Sequence, residues 1–332
     1  MYKEKKVAVV VPCYNEESKI GPMLEEVPEY IDKIYVVDDC STDGSAEVVR
    51  RRAREDCRFV LIEHEKNRGV GAAISTGYKT VLKSGEDIAV VMAGDGQMDP
   101  ADLPELLNPL VDDSADYIKG NRFFHRVGVG AIPPVRLVGN MALSALTKIV
   151  SGYWHISDTQ CGYTAINRKF LDYVDWDEVY PRYGCPNDIL TRLNIVNARV
   201  AEVPVCARYG QSWASKMKVW KIAGPLLALL FSLFMTRIYR KHIYLDGHPL
   251  IYCYGCGIMS SILAVLTFAY LVVVACVSGN LSIAALIILS TFSILANQLL
   301  LNAFAMDYEE NKHLYIRLPY KRVKLYGGAV DA

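Results

Sequence analysis

The chain has 332 residues and balances 36 basic against 36 acidic side chains, but these charges are unevenly distributed. Residues 1–215 carry 25 basic and 31 acidic groups, residues 216–332 carry 11 and 5, and no Asp, Glu, Lys, Arg or His lies between Pro249 and Met306. This distribution excludes a purely water-soluble protein, a disordered chain and a polybasic nucleic-acid-binding protein, so no nucleic-acid partner is expected.

Short apolar segments alternate with amphipathic segments over the first hundred residues. The pattern predicts buried strands at 6–12, 33–39, 58–64 and 87–93, separated by helices at 17–30, 44–54 and 70–83. A further strand is predicted at 117–120. Strand, helix and strand at this spacing imply right-handed crossovers and a mostly parallel sheet, so the predicted fold class is α/β.

Polar residues follow each of the first four predicted strands. They occupy positions 12–16, 38–44, 67–69 and 94–97. Ligands of open parallel sheets bind at the carboxyl ends of the strands, so we expect these four segments to meet in one site. Each segment taken alone is also explained by turn and helix-cap chemistry.

Two apolar segments that precede residue 249 are candidates for contact with a membrane surface. Residues 133–149 contain only two charges, which suits a helix or loop that dips into the interface. Residues 222–236 are apolar but too short for a comfortable span. We therefore expect an interfacial helix there that docks the preceding domain, residues 1–215 (the head), on the membrane. A third span is the alternative.

The uncharged window of 58 residues, 249–306, predicts two transmembrane helices, because one span needs only about 20 residues. A break at Ser278-Gly279-Asn280 divides the window into 250–277 and 281–306. The basic residues that flank it place both flanks in the cytoplasm by the positive-inside tendency. They are Arg237, Arg240, Lys241, Lys312, Arg317, Lys321, Arg322 and Lys324. The basic residues from Lys216 to Lys241 and in the tail are expected to face anionic lipid.

The start of the chain carries no signal-peptide pattern, which agrees with a cytosolic head. The predicted organisation is a cytosolic catalytic domain at 1–215, interfacial amphipathic helices at 216–248, two transmembrane helices at 249–306 and a cytoplasmic tail at 307–332. The plasma membrane of a prokaryote is favoured over the endoplasmic reticulum. A homo-oligomer is possible, and the oligomeric state stays open.

Five segments together resemble a known family: VVVPCYNEE, VVDDCSTDGS, KNRGVGAAISTGY, GDGQMDP and DTQCGYTAINR. In this order and spacing they resemble the nucleotide-binding half of family 2 glycosyltransferases with the GT-A (nucleotide-diphospho-sugar transferase) fold. The membrane passes narrow the resemblance to polyprenyl-phosphate (dolichyl-phosphate) glycosyltransferases, over about residues 5–306. The resemblance implies inverting transfer of a hexose from a nucleotide sugar to a polyprenyl phosphate. A UDP-sugar is the favoured donor, and GDP-mannose is possible.

The resemblance assigns the base and ribose of the donor to Pro12, Tyr14, Glu16 and Asp39, with Asp95 near the sugar nucleotide as well. Carboxylates suit this role because they accept hydrogen bonds from base N–H groups and ribose hydroxyls. For Tyr14 the alternative is a surface aromatic residue in a turn.

A divalent metal, Mg²⁺ or Mn²⁺, is expected to neutralise the donor diphosphate. Asp95 and Gln97 are its predicted ligands, because oxygens two residues apart on an extended segment can face one ion. The family usually has Asp-x-Asp, and its first position is Ala93 here. That departure leaves open a ligand role for Asp99, and it leaves open an inactive homologue.

Cationic side chains are expected to bind the acceptor phosphate, and the candidates are Arg122, Arg136 and Lys216. The planar fork of arginine can bind two phosphate oxygens. A lysine that is only solvated or bound to anionic lipid is the alternative for Lys216. Asp158 is expected to line the pocket for the sugar and acceptor, with a turn before a strand as the alternative.

Asp188 stands where relatives that glycosylate hydroxyl groups keep a catalytic carboxylate. A phosphate acceptor is already ionised at pH 7 and needs no strong base, so Asp188 is expected to orient the acceptor or to organise Arg122 and Lys216. Capping of a helix at 189–197 is the alternative. Two rival functions stay open, namely transfer to a sugar or glycan acceptor and a non-catalytic binding homologue.

Overall fold

The computed structural model describes residues 1–124, 134–206, 208, 219–278 and 282–318. An eight-stranded sheet forms the centre of the head, in the order β3-β2-β1-β4-β6-β5-β7-β8. The strands are β1 Val7–Cys13, β2 Lys33–Asp38, β3 Phe59–Glu63, β4 Ile88–Val91, β5 Tyr117–Asn121, β6 Thr164–Asn167, β7 Val200–Pro204 and β8 Tyr315–Ile316.

Strand β1 lies between β2 and β4 and runs parallel to both, and β3 continues the parallel set beside β2. Strand β6 is antiparallel to its neighbours β4 and β5, whereas β7 is parallel to β5 and β8. The predicted α/β class with a mostly parallel sheet is confirmed. The sheet differs from the prediction in one reversed strand, whose short apolar run carries no signal of direction.

Within the described ranges, ten α-helices surround the sheet or extend from it. They are α1 Glu17–Glu25, α2 Ser45–Glu55, α3 Val70–Ser84, α4 Leu103–Val111, α5 Pro134–Ser151, α6 Arg168–Tyr173, α7 Cys185–Ile195, α8 Val219–Arg237, α9 Leu250–Ser278 and α10 Ile283–Asn311. A π-helical segment, Ile238–Asp246, continues α8. Helix α1 ends earlier than predicted because Pro28 disfavours helical backbone in the residue before it.

Helices cover both faces of the sheet, which explains why β1 is an unbroken apolar run. Val7, Val9 and Val11 point into a core with α1, α2 and α4. Ala8 and Val10 point to the other face, into a core with α3, α6 and α7. Successive side chains of one strand therefore fill two separate cores, and the loops at the strand ends are held from both sides.

Helices α9 and α10 are the two described helices that are long and apolar enough to cross a membrane. They pack against each other along their length. Helix α8 packs instead against α5 and α7 of the head. Its Leu230 and Leu233 are buried, while Leu227, Phe231 and Met235 form an exposed apolar row on another face. Such a two-sided helix suits the predicted docking role at the interface.

The predicted tail at 307–332 is not separate from the head. Helix α10 continues to Asn311, and Tyr315 and Ile316 then pair with Val200 and Ala201 as strand β8. Residues 319–332 lie outside the described residues. Helices α9 and α10 form a hairpin, which is thus attached to the head at both ends, by the π-helical segment before α9 and by β8 after α10.

The prediction that the basic residues before the window face lipid is wrong for Arg237 and Lys241, which are buried. Arg237 forms a two-pronged ion pair with Asp307, with an Nη1–Oδ1 distance of 2.6 Å and an Nη2–Oδ2 distance of 3.0 Å. Lys241 Nζ donates to Asn194 and Asn311. These contacts hold the α9–α10 hairpin to the head, because a buried cation must be paired with polar groups.

Candidate active site

The loops that follow β1 and β2 are joined by hydrogen bonds. Asn15, whose φ is +54°, accepts from Thr42 N at 2.8 Å through Oδ1, and its own N–H donates to Ser41 Oγ at 3.0 Å. Glu16 N donates to Ser45 Oγ at 2.9 Å. The structure therefore brings the predicted donor residues of the first two strands to one edge of the sheet, as a single rigid unit.

Pro12 and Tyr14 lie at this edge as predicted. Pro12 is half-buried and pairs in register with Val37 of β2, whereas Tyr14 is 47% exposed beyond the strand end. An exposed aromatic ring at a strand end is free to stack on a ligand. Their predicted contact with a base and ribose stays a prediction.

Asp39 is buried, and its carboxylate holds the turn between β3 and α3. Oδ1 accepts from Arg68 N at 2.8 Å and lies 2.7 Å from His64 Nδ1, and Oδ2 accepts from Gly69 N at 2.7 Å. The structure thus gives Asp39 a positioning role for the third loop, and its predicted contact with the ribose stays a prediction. His64 was missed by sequence reasoning, although a histidine at a strand end beside polar loops is a usable signal.

The start of α3, which follows this loop, contacts a segment that is distant in the sequence. Gly71 N donates to Pro181 O at 2.8 Å, and a Cβ on Gly71 would lie 2.2 Å from Tyr180 O. A side chain at this position is thus excluded by close packing against the Tyr180–Pro181 backbone. Tyr180 N in turn donates to Asp188 Oδ2 at 2.6 Å, while Arg192 Nε donates to Oδ1 at 2.8 Å.

Asp188 therefore supports the loop that packs against Gly71. Its carboxylate is 2% exposed, and burial raises the pKa of Asp188 while Arg192 opposes this shift. The capping alternative is wrong, because α7 begins at Cys185 and its cap residue, Gly184, makes no side-chain bond. Each oxygen of Asp188 already accepts from a protein donor, which argues against a role as a free catalytic base.

Asp95 and Gln97 face each other across Gly96, whose φ of +73° reverses the chain. Gln97 N donates to Asp95 Oδ1 at 3.1 Å, and the Gln97 amide contacts the other carboxylate oxygen. Burial raises the pKa of Asp95, and the nearby Glu16 raises it further while Gln97 N and Lys19 lower it. The atom of Gln97 that faces Asp95 is the amide nitrogen, so the amide must rotate before its oxygen can share a cation with the carboxylate. A half-buried carboxylate and an amide oxygen then fit a hard divalent cation, which would relieve the unfavourable burial of the charge.

The alternative that Asp99 replaces the missing carboxylate at Ala93 finds no support. Asp99 Oδ1 caps the short helix Pro100–Asp102 by accepting from Ala101 N at 2.9 Å. The same oxygen accepts from Arg208 Nη2 at 2.8 Å. One oxygen of Asp99 is thus committed to a turn and to an ion pair, and a ligand role for Asp99 stays a prediction.

Arg122 and Asp158 form an ion pair at the carboxyl end of β5. Arg122 Nε donates to Asp158 Oδ2 at 2.7 Å, and Nη2 donates to Oδ1 at 2.9 Å. Asp158 is 1% exposed, and its N–H and that of Ser157 donate to Glu202 Oε1. The expectation that Asp188 organises Arg122 is wrong, because the residue that holds the Arg122 guanidinium is Asp158.

Two predicted acceptor residues cannot be located. Arg136 lies in α5, but the structure does not describe its side chain, and Lys216 lies outside the described residues. Their predicted contacts with an acceptor phosphate stay predictions.

Comparison with known proteins decides the family. Residues 8–174 match the family described as glycosyl transferase family 2, and this segment includes the loops of the first four strands and the Arg122–Asp158 pair. The chain belongs to glycosyltransferase family 2. The resemblance noted in the sequence motifs is thereby confirmed.

This family 2 glycosyltransferase has relatives that act on polyprenyl phosphates. It is 29% identical over 219 residues to a UDP-N-acetylglucosamine–dolichyl-phosphate N-acetylglucosaminyltransferase of Methanococcus voltae, covering 62% of this chain and 87% of the relative. It is 30% identical over 220 residues to an undecaprenyl-phosphate mannosyltransferase of Micrococcus luteus, covering 64% of this chain and 87% of the relative.

Among solved structures, the glycosyltransferase is similar to glucosyl-3-phosphoglycerate synthase from Mycobacterium tuberculosis, crystallised with Mn²⁺, UDP and glucosyl-3-phosphoglycerate. The TM-score is 0.51 at 18% identity, over 70% of this chain and 80% of that chain. This similarity confirms the GT-A-like fold. In that fold, the edge at which Tyr14, Glu16 and Asp95 lie is formed by the carboxyl ends of parallel strands, where ligands bind.

Proposed function

We propose that this protein transfers a hexose from a nucleotide diphosphate sugar to a polyprenyl phosphate, with inversion at the anomeric carbon. The relatives from Methanococcus voltae and Micrococcus luteus carry names of this class, which supports a lipid phosphate as acceptor. The product would be a polyprenyl-phosphate sugar and a nucleoside diphosphate. The head would work on the cytoplasmic face of a membrane, in a prokaryotic plasma membrane.

One observation carries the choice of a lipid acceptor over a sugar. An apolar groove of about 350 Å³ lies between the head and the hairpin, with walls from α5, α8, α9 and α10. Leu146 and Leu227 line it from the head side, and Ile258 and Phe304 line it from the hairpin. An isoprenoid chain is apolar and arrives through the membrane, so it can enter this apolar groove without leaving a polar group buried and unpaired. A glycan acceptor would gain nothing from these walls.

The donor diphosphate would be held with a divalent metal, Mg²⁺ or Mn²⁺. Asp95 would supply a charged ligand, and Gln97 would supply a neutral one after rotation of its amide, whose nitrogen now contacts Asp95. When bound, the metal neutralises charge that builds up on the leaving diphosphate. The solved relative with Mn²⁺ and UDP supports this assignment. The site has one carboxylate fewer than the usual Asp-x-Asp, so we expect weaker metal affinity.

The residues of the chain have orienting roles in this mechanism. The acceptor phosphate is ionised at pH 7 and attacks directly, so a strong general base is not needed. Asp158 fixes the Arg122 guanidinium at the strand end, from which the cation would face the phosphate. Asp188 keeps the Tyr180–Pro181 backbone against the third loop, which fits an indirect role.

The test is incubation of membranes that contain the protein with labelled UDP-sugars and, separately, with labelled GDP-mannose, in the presence of Mg²⁺ or Mn²⁺. Lipids are then extracted and treated with mild acid, which releases sugar from a polyprenyl-phosphate linkage. We expect an acid-labile labelled lipid with a UDP-sugar, absent in membranes with Asp95→Asn protein.

Label in a water-soluble glycan instead would indicate a sugar acceptor. Label from GDP-mannose would keep the reaction class and change the donor. The absence of any labelled product with every donor, from folded protein supplied with added polyprenyl phosphate, would contradict catalysis and favour a binding homologue.

A further inference from the structure

Three metal-binding side chains converge where the hairpin joins the head. His242 lies in the π-helical segment, His248 precedes α9, and Glu310 lies near the end of α10. One ligand atom from each of the three lies within 4.8 Å of the other two. His242 Nδ1 is 3.3 Å from Glu310 Oε2, and His248 Nε2 is 3.8 Å from the same oxygen.

Unsatisfied hydrogen-bonding atoms at this position point to a missing ligand. The His242 side chain is fully buried, with 0% exposure. Neither of its ring nitrogens, nor Glu310 Oε2, makes a hydrogen bond to any residue that the structure describes. A buried imidazole with two unpaired nitrogens costs several kcal/mol of solvation unless something binds there.

The surroundings leave these atoms available. Arg237 is neutralised by its ion pair with Asp307, and Lys241 donates to Asn194 and Asn311. Among the side chains that the structure describes, Asp307 is a second acidic group close to His242, with Oδ1 at 3.9 Å from His242 Nε2. It is placed to accept the second ring proton of a metal-bound His242, after a small shift, as an outer partner commonly does.

We infer that His242, His248 and Glu310 bind a divalent transition-metal ion of the zinc type, which ties the membrane hairpin to the head. Two imidazoles and one carboxylate are a common zinc ligand set with an open fourth position. Ligand bonds of about 2.0–2.1 Å in a tetrahedral site separate the donor atoms by about 3.3 Å. The two distances to Glu310 Oε2 are close to this value. Shortening the third distance, between His242 and His248, would move His248 toward His242.

Metal binding has one identifiable structural cost. His248 Nδ1 accepts from Leu250 N at 3.2 Å, and coordination through Nε2 would place the ring proton on Nδ1. This long contact must then open. The Leu250 amide is in the first turn of α9, where N–H groups have no partner within the helix and water can replace the bond.

The site is distinct from the proposed donor metal site in position and in ligand type. Asp95 and Gln97 offer only oxygen ligands at the sheet edge, which suit Mg²⁺. The histidine site lies where α10 meets the π-helical segment and contains nitrogen ligands. The inference therefore does not depend on the proposed transferase activity.

The test uses the full-length protein, purified in detergent and stripped with a chelator, with excess Mg²⁺ to fill oxygen sites. Zn²⁺ alone is then added, and bound zinc is counted by mass spectrometry after gel filtration. We expect one zinc per wild-type chain. We expect at least about a tenfold weaker affinity in His248→Gln and in Glu310→Gln.

Co²⁺ provides a spectroscopic readout, because nitrogen ligands in a four- or five-coordinate site give it a visible absorption band. That band should appear in wild-type protein and in Asp95→Asn, and it should be lost in His248→Gln. His313→Gln is the matched control, because His313 is an exposed histidine close in sequence to Glu310. It should bind zinc as wild type does.

His248 is only partly buried, so His248→Gln is expected to fold, which a wild-type gel-filtration profile would verify. Zinc should raise the melting temperature of the wild type and leave that of His248→Gln unchanged. Equal zinc content in the wild type and in both ligand variants would assign the metal to other residues, such as the cysteines. That result, or no bound zinc at all, would overturn the inference.

Discussion

Asp95 is the residue at which charge, burial and proposed chemistry meet. Its carboxylate is held in a desolvated position that raises its pKa, so the fold tolerates this charge at a cost. Asp95→Asn removes the charge and keeps the shape. We expect turnover to fall by about 10²–10³-fold, as when one electrostatic partner of a transition state is lost, with unchanged or slightly higher thermal stability. Labelled-lipid formation and the melting temperature measure the two effects.

Asp99→Asn is the matched control for Asp95→Asn. Asp99 belongs to the same loop, but it caps a short helix and pairs with Arg208. We expect near-normal turnover and a loss of about 1 kcal/mol in the free energy of unfolding. Equal losses of turnover in both variants would contradict the assignment of the metal to Asp95.

A substitution of Arg122 tests whether its ion pair with Asp158 stabilises the fold as well as positioning the Arg122 guanidinium. Arg122→Gln would leave the Asp158 carboxylate buried without its cation. The loss of one partner of a buried pair typically costs about 3–5 kcal/mol. We expect a lower melting temperature and a higher KM for the lipid phosphate.

The double variant Arg122→Gln/Asp158→Asn separates the two effects, because it removes the unpaired charge. Most of the lost stability should return, while the KM for the lipid phosphate should stay high. A KM restored together with the stability would show that Arg122 has only a structural role.

At the scale of elements, the start of α3 is held against the Tyr180–Pro181 loop through Gly71. A side chain at Gly71 would meet the Tyr180 carbonyl oxygen at 2.2 Å, so backbone must move in Gly71→Ala. We expect a loss of about 1–3 kcal/mol in the free energy of unfolding. Donor binding should weaken as well, because α3 follows the turn that Asp39 holds. Chemical unfolding and UDP titration measure these changes.

Gly21→Ala is the control on another helix of the head. Its added Cβ would lie 3.4 Å from Val48 Cγ1, which is an ordinary contact. Alanine is a better helix former than glycine, so this variant should gain up to about 1 kcal/mol. If both substitutions were neutral, the close approach at Gly71 would have no energetic weight.

The elements that the sequence predicted well are those with a local signal. The apolar runs of β1, β2, β3 and β4 and the polar loops after them lie within a few residues of the predicted bounds. Each depends on the period of its own side chains and on the turn residues beside it. The meeting of the loops at one edge follows from parallel strands alone.

Contacts between distant segments could not be predicted in this way. The Arg122–Asp158 pair joins residues 36 positions apart, and the Arg237–Asp307 pair joins residues 70 positions apart. Strand β8 has only two residues and no period to detect. Asp39 and Asp188 were predicted to act on the donor and the acceptor, and the structure shows that each also accepts from backbone amides, which a sequence does not distinguish.

At the scale of the whole molecule, the head and the hairpin are held together by buried polar groups. Arg237 donates to Val150 O at 2.8 Å and pairs with Asp307 of α10. Arg237 and Lys241, which the sequence suggested for the membrane surface, are thus buried where the head meets the hairpin. A buried pair of this kind fixes geometry more than it adds stability. The proposed lipid groove, which has walls from both parts, depends on that geometry.

The attachment of the tail strand should make stability depend on pH through His155. Its Nε2 lies 2.8 Å from Val200 O, and its ring packs on Tyr315 of β8 at a centroid distance of 4.6 Å. Burial lowers the pKa of His155 to about 4, the Val200 carbonyl opposes this shift, and Arg317 and Lys148 add to it. The folded protein therefore keeps His155 neutral at pH values where the unfolded chain binds a proton.

The direction in which stability changes with pH follows from this difference in pKa between the folded and the unfolded protein. Stability from a neutral His155 is complete above about pH 6.5 and is lost as the pH falls toward 4. Between about pH 7.5 and pH 5 the loss amounts to roughly 2 kcal/mol. His155→Gln cannot titrate, so its free energy of unfolding should fall less over this range by about that amount. His242, whose pKa is also lowered to about 4 by burial, titrates in both proteins and cancels in the comparison.

The exposed His313 supplies the control, because His313→Gln removes a histidine without removing a buried one. Unfolding by denaturant at the two pH values, in one detergent, gives the comparison directly. The wild type and His313→Gln should lose stability equally on acidification, and His155→Gln should lose less. Parallel losses in all three proteins would mean that His155 is protonated without cost and that the β8 attachment does not sense pH.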